Sequence, residues 1–100
     1  MFGRKKRKQN TAFDRIEFVL CEADTDVFQL ADQLMKSVPL IVNFEDMNDI
    51  ESNKIITFLS GVTYAIDGEI ELIREKIFLF ATKRDYRDGT LRKFVKEYKE

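Results

Sequence analysis

Apolar positions along this chain recur at two spacings, and each change of spacing marks an element. Ile16, Phe18 and Leu20 alternate with Glu17, which predicts a strand with one face turned inward. Asp24, Thr25 and Asp26 follow as candidate helix caps, because their side-chain oxygens accept the free N–H groups of a first turn. Val27, Leu30, Ala31, Leu34 and Val38 then repeat at helical spacing, with Phe28 and Met35 widening the stripe. Pro39 stops that helix by turning Val38 away from helical angles. Leu40 to Phe44 is a nearly continuous apolar run, suited to a central strand covered on both faces.

Asp46, Asn48 and Asp49 form a second capping cluster, and Ile55, Phe58, Leu59 and Val62 share one face of the helix it starts. Gly61 is expected to end this helix, since glycine accepts the left-handed angles of a C-cap. Three short strands are predicted next, over residues 63–66, 69–74 and 76–82. Asp67-Gly68 reads as a two-residue hairpin turn and Arg74-Glu75-Lys76 as a weaker one. After Arg87-Asp88-Gly89, the residues Leu91, Phe94, Val95 and Tyr98 mark a short amphipathic helix, which at about eleven residues needs docking to be stable.

The resulting fold class is α/β, of α+β sandwich type, in the order β-α-β-α-β-β-β. Two helices are expected on one face of a five-stranded mixed sheet, with a short C-terminal helix besides. The organisation expected is a basic flexible arm over 1–14, a core over 15–83 and a C-terminal amphipathic helix over 84–100. In the last strand Ile77, Leu79 and Ala81 alternate with Phe78 and Phe80, so both faces are apolar. With Phe78 and Phe80 taken as facing away from the helices, something must cover them. A second copy meeting its twin across a two-fold axis does so, and so does the C-terminal helix folded back.

Composition narrows the chemistry. One hundred residues, 44% apolar and 35% charged, suit one small domain. The absence of His removes the commonest general base and metal ligand, and no glycine-rich phosphate loop or Cys/His ligand spacing is present. A non-enzymatic protein without cofactor or metal is expected. The lone Cys21 cannot form an internal disulfide, so a reducing cytoplasm is the expected compartment, and the residue reads as a small buried apolar group. Charge is uneven: Arg4, Lys5, Lys6, Arg7 and Lys8 form an unbroken run, and without them 12 basic residues face 18 acidic ones. The acidic remainder argues against a nucleic-acid face on the folded part. The basic run with Met1 and Phe2 at its tip suits weak, salt-sensitive contact with an anionic membrane, and equally a solubilising tail.

Residues 55–70, containing Phe58-Leu59-Ser60-Gly61, Tyr64-Ala65-Ile66 and Gly68, resemble the signature of the SepF family of bacterial cell-division proteins. Pro39-Leu40-Ile41-Val42-Asn43 and Ile77-Phe78-Leu79 are similar to the family's strands on either side, so the resemblance spans about 38–82. Thr57 stands where the family has Asp, Asn53-Lys54 where it has Lys-Arg, and Glu75 where it has Gly.

The resemblance implies a dimeric scaffold, in some members polymeric, that anchors the tubulin-like protein FtsZ at the inner membrane face of the division site. For the FtsZ C-terminal peptide it implies an apolar groove with a few polar anchors. Phe58 and Val62 would serve as wall, Lys54 as charge anchor and Tyr64 as rim; ordinary core packing and solvated surface are their plainer readings. Gly61, Gly68, Phe78 and Phe80 are the candidates for self-association, and Met1, Phe2, Arg4, Lys5, Lys6, Arg7 and Lys8 for membrane contact. The rival class is a small RNA-binding protein that uses the basic arm.

Overall fold

Asp26 and Asn48 start the first two α-helices, as the capping clusters predict. The Asp26 carboxylate accepts the N–H groups of Phe28 and Gln29 at 3.1 and 3.2 Å, opening α1 (Val27–Met35). Asn48 Oδ1 accepts the Glu51 N–H at 2.8 Å and opens α2 (Asp49–Ala65). The structure, a computed structural model, describes residues 10–99. Its other elements are a 3-10 turn (Phe13–Arg15), strands β1 (Glu17–Leu20), β2 (Leu40–Asn43), β3 (Gly68–Arg74) and β4 (Ile77–Thr82), a one-turn helix α3 (Lys83–Tyr86) and α4 (Thr90–Tyr98).

The described residues form a mixed α+β domain on a four-stranded sheet of order β1-β2-β4-β3. β1 runs parallel to β2, as a strand-helix-strand crossover should, while β4 is antiparallel to both β2 and β3. The fifth strand, expected over 63–66, is instead the last turn of α2, and Gly61 lies inside that helix rather than at its end. Leu59, Thr63 and Ile66 continue the inward stripe at i, i+4 and i+7. Thr63 donates its hydroxyl to the Leu59 carbonyl at 2.7 Å, which satisfies it within the helix. The helix ends at Asp67, whose φ of 60° is left-handed. Asp67-Gly68 is therefore a helix-to-strand corner, not a hairpin. The hairpin is at Glu75-Lys76, where Lys76 takes a φ of 67°. Leu72 opposes Phe78 and Arg74 opposes Ile77, so Ile73 is an extra residue in the ladder.

The sheet separates two cores. On one side Leu30 and Leu34 of α1 and Leu59 of α2 close over Leu40, Val42, Phe44 and Phe80, and Phe78 packs at the edge of this cluster. The Phe78 ring meets Phe44 edge-on at 6.0 Å and stacks on Phe80 at 6.1 Å. Phe78 and Phe80 thus face the helices, opposite to the expectation that placed them on the uncovered face. The outward set is Ile77, Leu79 and Ala81. It is the C-terminal helix that lies over part of that face: Leu91 and Val95 pack on Ile41, Ile73, Leu79 and Ala81. Fully burying Leu91 contributes about 1.5–3 kcal/mol, enough to hold a nine-residue helix that is marginal alone.

Residues 11–15, mostly within the expected arm, belong to this packed body. Ala12 is buried and donates its N–H to Asp88 Oδ2 at 2.8 Å, and Phe13 donates to Thr90 Oγ1 at 2.9 Å. Arg4 to Lys8, with Met1 and Phe2, lie outside the described residues.

Candidate interaction site

The helix layer carries a surface that its fold leaves uncovered. α2 buries Ser52, Leu59 and Thr63 against the sheet. Helical spacing therefore places Ile50, Lys54, Thr57, Gly61 and Tyr64 on the opposite, outward stripe. Tyr64 is 86% exposed and Ile50 71%. Phe28 of α1, expected to widen the core stripe, is 70% exposed and rests edge-on against Phe58 at 5.4 Å. Met35 is exposed as well. The surface is apolar and lightly charged, with Lys54 paired to Glu51 at 3.5 Å.

The four residues expected to hold a peptide are not assembled into one groove within the chain. Lys54 and Tyr64 point outward about 15 Å apart along the helix, ten residues at ~1.5 Å each. Phe58 and Val62 are half-buried, packed against the core cluster beneath the helix layer. Gly61 and Gly68 separate cleanly. A Cβ at Gly61 would meet nothing within 4 Å, whereas at Gly68 it would lie 2.5 Å from the Ala81 carbonyl oxygen and 2.7 Å from Thr63 Cγ2. Gly68 is needed for the α2–β4 approach. Gly61 has no such need inside the fold and costs a mid-helix position about 0.5–1 kcal/mol relative to alanine. Phe80 is fully buried, which removes its side chain from any surface.

Periodicity missed Phe28, Ile50 and Met35 as surface groups. Ile50 was legible: it falls outside the apolar stripe of its own helix. Phe28 was not, because only the seam between α1 and α2 decides which side of the stripe is covered.

A second apolar surface lies across the sheet. α4 covers the β3–β4 half of that face and leaves a groove of about 510 Å³ above β1 and β2, where Phe18, Leu20, Ile41 and Ile77 meet Phe94 and Tyr98. Phe94 and Tyr98 are 4.6 Å apart, and Phe13 lies 5.5 Å from Phe94.

The titratable groups with displaced pKa values serve structure. Burial pushes the Cys21 thiol up, against a hydrogen bond with Thr25 that lowers it, so Cys21 is a neutral packed group at physiological pH. Burial also raises the Tyr86 phenol, helped by the fields of Glu71 and Glu69 and opposed by Arg92, which sits 4.8 Å over its ring. Asp88 is held below the usual carboxylate range by the N–H groups of Thr90 and Ala12. Among the described residues, no helix is long and apolar enough to cross a membrane.

Comparison with known proteins bears on the same residues. The family model described as cell division protein SepF matches residues 22–84, which include α1, α2 and the β2–β4 part of the sheet and stop before α4. The cell division protein SepF of Lactiplantibacillus plantarum is 44% identical over 55 residues, 55% of this chain and 39% of that protein. That of Lactobacillus gasseri is 32% identical over 73 residues, 73% of this chain and 51% of that protein. That of Lactobacillus helveticus is 30% identical over 86 residues, 86% of this chain and 59% of that protein. The chain spans about half the length of the curated relatives it matches.

Proposed function

Since the chain belongs to the SepF family of cell division proteins, we propose that it is a non-enzymatic scaffold of the division septum, which dimerises, binds the C-terminal peptide of FtsZ and links it to the inner face of the membrane. The observation that carries this reading is the outward surface of the helix layer, where Phe28, Ile50 and Tyr64 are exposed side chains on neighbouring helices. Such a surface on a 100-residue domain is satisfied by a partner rather than by solvent. Joining two helix layers about a two-fold axis buries Phe28, Ile50 and Tyr64 together. Gly61 is the point where two α2 helices come closest, because no side chain there keeps them apart. Phe78 and Phe80 support this surface from inside and take no direct part.

Dimerisation also supplies what a single subunit lacks. Lys54 and Tyr64 of one copy lie beside the seam residues Phe58 and Val62 of the other, giving an apolar floor with a cationic edge for a short apolar peptide flanked by acidic groups. Titrating the full chain with the FtsZ C-terminal peptide of the same organism tests the reading. Saturable binding is expected, weakened several-fold by Lys54→Glu with the far-UV spectrum unchanged. Absence of saturable binding to the unaltered chain refutes it.

A further inference from the structure

From Asn10 onward the chain carries 12 basic and 18 acidic residues, and one corner of the fold runs the other way. The one-turn helix α3 is pinned to the body by Asp85 and Tyr86, both buried, which leaves Lys83, Arg84 and Arg87 on its exposed side. These three line a recess of about 250 Å³ together with Met35 and Ser37 at the end of α1 and Ile66 and Asp67 at the end of α2. Asp67 is the only carboxylate in that lining, and it is paired with Lys83 at 3.3 Å. Asp85 is occupied by Arg15 and the Thr82 hydroxyl, and Asp88 accepts the Ala12 and Thr90 N–H groups. Arg84 and Arg87 have no side-chain hydrogen bond or ion pair among the described residues.

The corner is net positive even with every neighbouring charge included. The segments that build it are 35–37, 66–67 and 82–88. With the Arg15 that pairs Asp85, they set Arg15, Lys36, Lys83, Arg84 and Arg87 against Asp67, Asp85 and Asp88. α1 and α2 both end at the recess, and each carbonyl end amounts to about half a negative charge, so together they offset about one cation of the surplus. Arg87 keeps helical angles, so Arg84 and Arg87, three residues apart, share one side of the turn. Ser37 holds a φ of 64°, where glycine would be unstrained. Its hydroxyl has no hydrogen bond among the described residues, so the recess keeps a free donor besides the two guanidinium groups.

We infer that this recess binds an acidic segment of a partner protein, one that sets an aspartate or glutamate carboxylate between Arg84 and Arg87 and an apolar side chain against Met35 and Ile66. A guanidinium presents a planar fork of donors that a carboxylate meets with both oxygens, and two such forks on one turn fix its position. Met35 is 56% exposed, and its unbranched thioether adapts to an apolar neighbour of any shape. Free phosphate gains nothing from Met35 and Ile66, and a nucleic acid finds no aromatic ring in the recess on which to stack a base. The site shares no residue with the peptide surface proposed above, so neither reading depends on the other.

The probes are two fluorescein-labelled peptides, one alternating aspartate with leucine and one alternating aspartate with glycine, titrated with the full chain and followed by anisotropy. Arg84→Gln/Arg87→Gln is expected to weaken binding of the leucine probe about tenfold or more. Lys93→Gln/Lys96→Gln makes the same change in net charge on α4 and is expected to leave the affinity within about twofold. Met35→Ser is expected to weaken the leucine probe several-fold and leave the glycine probe unchanged, which reads the apolar flank from a different element. All the altered side chains are exposed, so each variant should keep the parent's far-UV spectrum. Equal weakening by the two charge variants, or no saturable binding of the leucine probe by the unaltered chain, overturns the inference. Oligouridylate binding, or flotation with phosphatidylglycerol vesicles, that is lost in Arg84→Gln/Arg87→Gln while the leucine probe still binds assigns the recess to RNA or to lipid; either outcome overturns it as well.

Discussion

Arg15 and Asp85 join the two ends of the domain. The guanidinium donates to Asp85 Oδ1 at 2.9 and 3.1 Å and to the Ser37 carbonyl at 2.9 Å, so one side chain ties the residues before β1 to the loop after α1 and to α3. Asp85 is buried, and its second oxygen accepts the Thr82 hydroxyl at 2.9 Å. Removing the carboxylate strands a partly buried cation and frees the N-cap of α3. Because Arg15 keeps about a third of its surface in water, the full cost of a broken buried pair does not apply. Asp85→Ala is expected to destabilise the fold by about 2–3 kcal/mol in a urea titration.

Gly61 and Gly68, equivalent in sequence reasoning, are expected to respond oppositely to alanine. Gly68→Ala forces a Cβ into the Ala81 carbonyl and costs about 2 kcal/mol or more. Gly61→Ala enters open space on a helix and stabilises the monomer by about 0.5–1 kcal/mol. The same methyl group should weaken self-association. Denaturation at low protein concentration, paired with sedimentation at high concentration, separates the two effects.

The Tyr86 hydroxyl is buried without a hydrogen-bond partner. Tyr86→Phe removes an unpaired polar group while keeping the ring under Arg92, so the variant is expected to be as stable as the parent or up to about 2 kcal/mol more stable. The pH dependence has a definite sign. The folded-state phenol is raised above its unfolded value of about 10, so the fold holds the proton that the unfolded chain gives up. That contribution is complete below about pH 10 and is lost as the pH rises further towards the folded-state value. Urea midpoints measured between about pH 8 and about pH 11.5 should fall less steeply for Tyr86→Phe than for the parent.

The helix caps at Asp26 and Asn48, the β1-α1-β2 crossover and the family signature were legible because each rests on local spacing or on a few fixed residue types. Three things were not. The α2 extension past Gly61 depended on Thr63 being buried against the sheet, where its hydroxyl is satisfied by the Leu59 carbonyl. The facing of Phe78 and Phe80 depended on register with Leu40 and Val42, since an all-apolar strand carries no alternation to orient it. The outward position of Phe28 depended on how α1 and α2 sit side by side. In each case the missing information was which neighbour an apolar side chain meets, and that is settled by tertiary packing rather than by period.

In the proposed scaffold the chain associates through the outer surface of α1 and α2, while α4 closes half of the opposite sheet face. Sedimentation equilibrium of the full chain distinguishes the two surfaces. The unaltered protein and Phe18→Ser/Leu20→Ser should sediment as dimers and Ile50→Asp/Tyr64→Asp as a folded monomer. A dimer that survives Ile50→Asp/Tyr64→Asp and is lost with Phe18→Ser/Leu20→Ser would contradict the account.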